Sequence, residues 1–155
     1  MDSGEAFSSF LFLCVFEVLG GAAVGAFVRT LLRREAPGIS IFFLIWGFGF
    51  GGIPLLIGAA TLTTSDRPSL FLAQVFVFVM AIVLVALMPS EVFDKDANGN
   101  LPSAIVGAVL AMFGASVLLL TLQDGINIGT LIGAGMAFGG IVILLRAVFV
   151  VLRPS

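Results

Sequence analysis

The chain has 155 residues, of which 60% are hydrophobic and 10% are charged, and its mean hydropathy is +1.24. Soluble domains contain about 45–50% apolar and about 25% charged residues, so this composition excludes an ordinary soluble domain. The net charge of −2 and the scattered Lys and Arg residues exclude a nucleic-acid partner, which requires a basic patch. The sequence has no His and no Tyr, which removes common haem and metal ligands, so we expect no cofactor.

Five apolar stretches are each long enough to cross a bilayer as a helix. A hydrocarbon core of about 30 Å requires about 20 helical residues, and none of the stretches alternates polar with apolar residues as a barrel strand does. The sequence therefore predicts an all-α, polytopic transmembrane helix bundle with about five spans, in a single membrane domain over residues 1–155. The predicted spans are residues 6–28, 39–62, 69–88, 101–122 and 126–152.

Basic residues near the span ends predict the orientation, because cytoplasmic loops of membrane proteins carry an excess of Lys and Arg. With five spans, Arg67 lies alone on one side of the membrane. The other side receives Arg29, Arg33, Arg34, Lys95 and Arg153. We therefore expect the N-terminus outside and the C-terminus in the cytoplasm, in a bacterial inner membrane.

The 19 glycines predict close packing between helices. Helices in lipid gain little hydrophobic energy by touching, so they associate where small residues let the backbones approach. Small residues recur at four-residue spacing (GxxxG-like) in every predicted span except the third, whose Val and Phe side chains over residues 71–79 are expected to face lipid or a partner protein. The helix-packing candidates are Gly21, Gly25, Gly47, Gly51, Gly107, Gly133 and Gly139.

Glu17 lies near the middle of the first predicted span, roughly 16 Å deep at about 1.5 Å per residue. A carboxyl group at this depth is costly and by default faces protein or water. Glu17, Gly21 and Gly25 share one helix face, so the acid is expected to meet another helix. Three roles are open for it: a protonated, hydrogen-bonded structural group, the partner of a base, or a group that binds an ion or relays protons.

Arg146 and Gln74 are the other intramembrane polar candidates. Arg146 lies near the end of the fifth span, where its long side chain is expected to extend to the inner interface. In the second span, Pro54 predicts a kink that frees a backbone carbonyl, and broken helices of this kind often line ion sites. Pro and Gly are also frequent in membrane helices without such a role.

The loop over residues 94–100, with the sequence DKDANGN, resembles the first half of an EF-hand calcium loop. The resemblance implies a metal site whose candidate ligands are Asp94, Asp96, Asn98 and Asn100. The loop departs from the family pattern at Ile105, which occupies the position of the bidentate Glu. The same residue types are also ordinary turn formers between two helices.

The sequence carries no hydrolase elbow, metal-ligand cluster or phosphate-binding loop, so we expect no enzymatic activity. It predicts a non-catalytic small integral membrane subunit that packs within and stabilises a larger membrane complex, for example a respiratory or photosynthetic one. Its expected partners are other integral membrane subunits and lipid. The alternative is a small homo-oligomeric channel or transporter that uses Glu17 and the Gly/Pro-broken second span. A third interpretation is a membrane enzyme or sensor based on the 94–100 loop.

Overall fold

The computed structural model describes residues 3–34, 38–65, 68–89, 92, 100–122 and 125–152. Within these residues the chain is helical and has no strands, and five helices are long and apolar enough to cross a membrane. The predicted fold class, a helix bundle of about five spans, is confirmed. The chain divides into two compact units, Met1–Leu87 and Met88–Ser155, and the single membrane domain stays a prediction. The five spans are Gly4–Leu32, Ile41–Thr61, Ser69–Leu87, Pro102–Leu122 and Ile128–Val150.

The first unit contains three spans, of which the second is interrupted. Helix α1 covers Ser3–Leu32 and helix α4 covers Ser69–Leu87. Between them, α2 (Gly38–Gly47) and α3 (Ile53–Thr61) are joined by a π-helical turn over Phe48–Gly52. Pro54 is the second residue after this turn. Its ring removes one backbone donor and crowds the preceding residues, and the wider π-helical turn accommodates this. The break predicted at Pro54 is therefore a local widening of a continuous span.

Helix α1 packs against both other spans of its unit through different glycines. A Cβ atom at Gly20 would lie 2.5 Å from the Cα of Gly51 in the second span. A Cβ atom at Gly21 would lie 2.7 Å from the Phe78 carbonyl oxygen, and one at Gly25 would lie 2.7 Å from the Ile82 carbonyl oxygen, both in α4. Successive residues on a helix point about 100° apart, so this short glycine cluster brings two neighbouring backbones close to α1.

Helix α4 supplies the side chains that fill the space left by these glycines. Val77 is only 1% exposed, and a Cβ atom at Gly51 would lie 3.0 Å from Cδ2 of Phe78. The prediction that residues 71–79 face lipid or a partner was therefore wrong for Val77 and Phe78. The physical reason is complementarity, because a glycine face needs a partner helix with larger side chains. Leu72 and Val79, on the other side of α4, are exposed.

The second unit is a helical hairpin of α5 (Asn100–Leu122) and α6 (Ile128–Leu152). Gly125, with φ of +87°, turns the chain after α5, and Asn127, the residue before α6, caps this helix together with Thr130. The Thr130 amide donates to Asn127 Oδ1 at 3.1 Å, and the Asn127 amide donates to Thr130 Oγ1 at 3.2 Å. These bonds satisfy backbone N–H groups that the first turn of a helix otherwise leaves unpaired.

Glycines bring the two backbones of this hairpin together. A Cβ atom at Gly107 would lie 2.6 Å from the Leu144 amide nitrogen, and one at Gly133 would lie 2.6 Å from the Leu118 amide nitrogen. Gly139 was also predicted to pack, but a Cβ atom there would meet no described atom within 4 Å. Its neighbour makes the contact instead, because a Cβ atom at Gly140 would lie 2.6 Å from the Gly107 carbonyl oxygen.

Candidate functional site

Two polar side chains meet in the interior of the first unit. Glu17 of α1 and Gln74 of α4 are both 0% exposed. Gln74 Nε2 donates one hydrogen bond to Glu17 Oε1 at 2.7 Å and another to the Pro54 carbonyl oxygen at 3.0 Å. These two bonds connect α1, α3 and α4 at one point. The helix that Glu17 meets therefore belongs to this chain.

Gly58 makes room for the Gln74 amide. A Cβ atom at Gly58 would lie 2.7 Å from Gln74 Cδ and 2.9 Å from its Nε2, which is too close for any other residue without displacing the amide. Gly58 stands one helical turn after Pro54, so both residues present the same face of α3 to Gln74. Sequence reasoning missed Gly58, although its four-residue spacing from Pro54 was a usable signal.

Two oxygen atoms of this cluster have no hydrogen-bond partner among the described residues. They are Glu17 Oε2 and Gln74 Oε1, and both are buried. An unpartnered polar atom in a buried site is costly, typically by about 1–3 kcal/mol. Each residue of the pair therefore has one side-chain oxygen that can accept a further hydrogen bond.

The other predicted site residues lie apart from this pair or outside the described structure. Arg146 is an exposed side chain on α6 of the second unit. Asp94, Asp96 and Asn98 lie outside the described residues, and Asn100 begins α5 without a described side chain. Over the described ranges, no group of three or more His, Cys, Asp or Glu residues could hold a metal ion.

An apolar cleft of about 450 Å³ opens between α1 and the second span. Its wall includes aromatic contacts, with ring centroids 6.1 Å apart for Phe16 and Phe50 and 4.4 Å apart for Trp46 and Phe50. A Cβ atom at Gly49 would meet no described atom within 4 Å, so the space beside this glycine in the cleft wall is open. The cleft suits hydrocarbon, because its lining is almost entirely apolar. The lining residues are Phe12, Leu13, Phe16, Ile45, Trp46, Gly49, Phe50, Ile53, Pro54 and Ile57.

Comparison with known proteins adds no relative. No protein-family model matches the chain, and neither a curated protein nor a solved structure matches it. The class of the protein therefore comes from its own features, which are five apolar helices and a polar pair closed inside one three-span unit. These features define a polytopic helical membrane protein.

Proposed function

We propose that the chain is a non-catalytic integral membrane subunit that packs within a larger membrane complex and stabilises it. The observation that carries this proposal is an exposed stripe on α6, on the side opposite the glycines that contact α5. Its residues follow alternating spacings of four and three, the pattern of helices that cross at a small angle in membrane bundles. The stripe consists of Leu131, Gly135, Phe138, Val142, Leu145 and Phe149.

The composition of this stripe favours a partner helix. Phe138 is 71% exposed, and a Cβ atom at Gly135 would meet no described atom within 4 Å. A glycine between large side chains forms a depression in which a side chain of another helix can insert. We therefore assign α6 as the surface that contacts another integral membrane subunit, with lipid around the remaining apolar surface.

Leu145→Ala and Gly135→Leu should both reduce recovery of partner subunits when the tagged chain is purified in mild detergent. The first change removes a large side chain from the stripe, and the second fills its depression. Leu119→Ala is the matched control, because Leu119 of α5 is 45% exposed and Leu145 is 48% exposed. The proposal predicts stoichiometric, non-identical membrane proteins with the wild type and the control. Equal loss of partners in all three variants would contradict the role of the stripe.

The proposal includes a topology with the N-terminus outside and the C-terminus in the cytoplasm of a bacterial inner membrane. It rests on the basic residues near the span ends, among them Arg33 and Arg34 after α1. In a Cys14→Ser background, a cysteine placed at Arg34 should react with a membrane-impermeant maleimide only after the cells are opened. If the maleimide instead labels Arg34→Cys in intact cells and fails to label Ser65→Cys there, the orientation is the opposite one.

A second candidate function is a small homo-oligomeric channel or transporter. The observation that favours it is the pair of unpartnered oxygens, Glu17 Oε2 and Gln74 Oε1, beside the π-helical turn of the second span. Broken helices of transporters hold ion sites of this general kind. Ion flux through liposomes that contain only this chain, lost in Glu17→Gln while assembly is kept, would establish this function in place of the first.

A further inference from the structure

Among the described residues of the first unit, no opposite charge lies near the carboxyl group of Glu17. Glu5 and Arg29 are the other charged residues of α1, and each is twelve positions away, roughly 18 Å along the axis at about 1.5 Å per residue. The segments Gly38–Thr61 and Ser69–Leu87, which pack against α1, contain no charged residue. Within the described helices of this unit, the remaining titratable neighbour is the buried thiol of Cys14, one turn earlier on α1. An ionised Glu17 would thus be a buried charge without a counter-ion, which is strongly unfavourable.

We infer that Glu17 and Gln74 form a binding site for one proton. A proton on Glu17 Oε2 makes the carboxyl group neutral and turns Oε2 from an acceptor into a donor. Gln74 Oε1 is the acceptor that lacks a donor, and Gln74 Nε2 already donates to Glu17 Oε1 at 2.7 Å. When Oε2 donates this proton to Gln74 Oε1, the pair closes into a cyclic acid–amide arrangement, and one bound proton then satisfies both unpartnered oxygens.

A metal cation fits the same place poorly. Hard cations take about six or more oxygen ligands. The described residues offer two unpartnered side-chain oxygens here, and the Pro54 carbonyl already accepts a bond from Gln74. The amide is also packed tightly against Gly58, where a Cβ atom would lie 2.7 Å from Gln74 Cδ. The proton needs no additional ligands and no additional space.

Infrared spectroscopy of the full-length chain, carrying glutamate labelled with ¹³C in the side-chain carboxyl group, tests this inference. At neutral pH, the wild-type spectrum minus that of Glu17→Gln should contain the C=O band of a neutral carboxylic acid, and this band should shift in D₂O. Gln74→Met should move the band toward the frequency of a free acid, because the carboxyl group loses its hydrogen bonds with the amide. A difference spectrum that contains only carboxylate bands would overturn the inference. If a variant fails to fold, the spectrum of the labelled wild type alone still shows whether the C=O band of a neutral carboxylic acid is present.

Two further measurements separate the proton from other ligands and from the proposed function. Loss of the acid band when sodium chloride replaces choline chloride would show a metal-cation site and overturn the inference.

The folded state holds a proton that the solvated carboxyl group of the unfolded state releases, so the free energy of unfolding should fall as pH rises. Glu17→Gln should remove the contribution of this carboxyl group to that pH dependence. A pH dependence unchanged by Glu17→Gln would contradict the inference. None of these measurements needs a partner subunit. A chain that has no partner subunits would therefore contradict the proposed function without contradicting the proton site.

Discussion

Gly140→Ala should destabilise the α5–α6 hairpin by about 2–3 kcal/mol, whereas Gly139→Ala, one residue earlier, should leave its stability nearly unchanged. A methyl group at Gly140 would lie 2.6 Å from the Gly107 carbonyl oxygen and 2.8 Å from the Ala111 Cα. These are backbone atoms, which cannot rotate away, so the two helices must separate. The lost contacts then extend along the glycine interface of the hairpin.

The neighbouring substitution is a closely matched control. It adds the same methyl group to the same helix, but a Cβ atom at Gly139 would meet no described atom within 4 Å. Unfolding of the two variants in mixed detergent micelles, followed by circular dichroism, gives the comparison. Hydrogen exchange of peptides from α5 and α6 locates the change. Equal stabilities of the two variants would contradict the packing of α6 on α5 through Gly140.

Gln74→Met should reduce the stability of the first unit by about 1–3 kcal/mol, because it leaves the buried Glu17 carboxyl group without a donor. Glu17→Met should cost a similar amount, since Gln74 then keeps only its bond to the Pro54 carbonyl. The double variant should be more stable than the sum of the two single losses predicts, because replacing both partners leaves neither of the two side chains with an unpaired polar group. Met is suitable here because it is unbranched and adapts to the space of Glu or Gln.

Fluorescence of Trp46, the one tryptophan in the chain, reports unfolding of this unit during a titration with denaturing detergent. Its position in the second span places the probe in the same unit as the pair. The wild type, the two single variants and the double variant form a double-mutant cycle. The cycle gives the coupling energy between Glu17 and Gln74 directly. Additive losses would show that Glu17 and Gln74 do not interact in the folded protein.

Much of the fold could be predicted because a bilayer imposes a length and a composition on every span. The ends of the third and fourth spans were predicted within about two residues, a usual uncertainty for helix ends. The face of Glu17 was also predictable, since its glycine neighbours recur at i+4 and i+8. The identity of its partner was not, because Gln74 is 57 residues away and nothing local encodes that pairing.

The glycine contacts show where the pattern alone is ambiguous. Residues 129, 133, 135, 139 and 140 of α6 are all glycine, and four-residue spacing can be read through them in more than one way. Only the position of α5 decides that Gly133 and Gly140 pack while Gly139 does not. In the second span, Pro54 indicated a break, but whether that break becomes a kink or a π-helical turn depends on the packing around it.

The measurement that tests the proposed subunit role most directly is native mass spectrometry of the tagged chain released from its own membrane in mild detergent. The account predicts particles in which this 16.1-kDa chain is bound to non-identical membrane proteins at a fixed stoichiometry. Particles whose masses are only multiples of 16.1 kDa, without another protein, would contradict it.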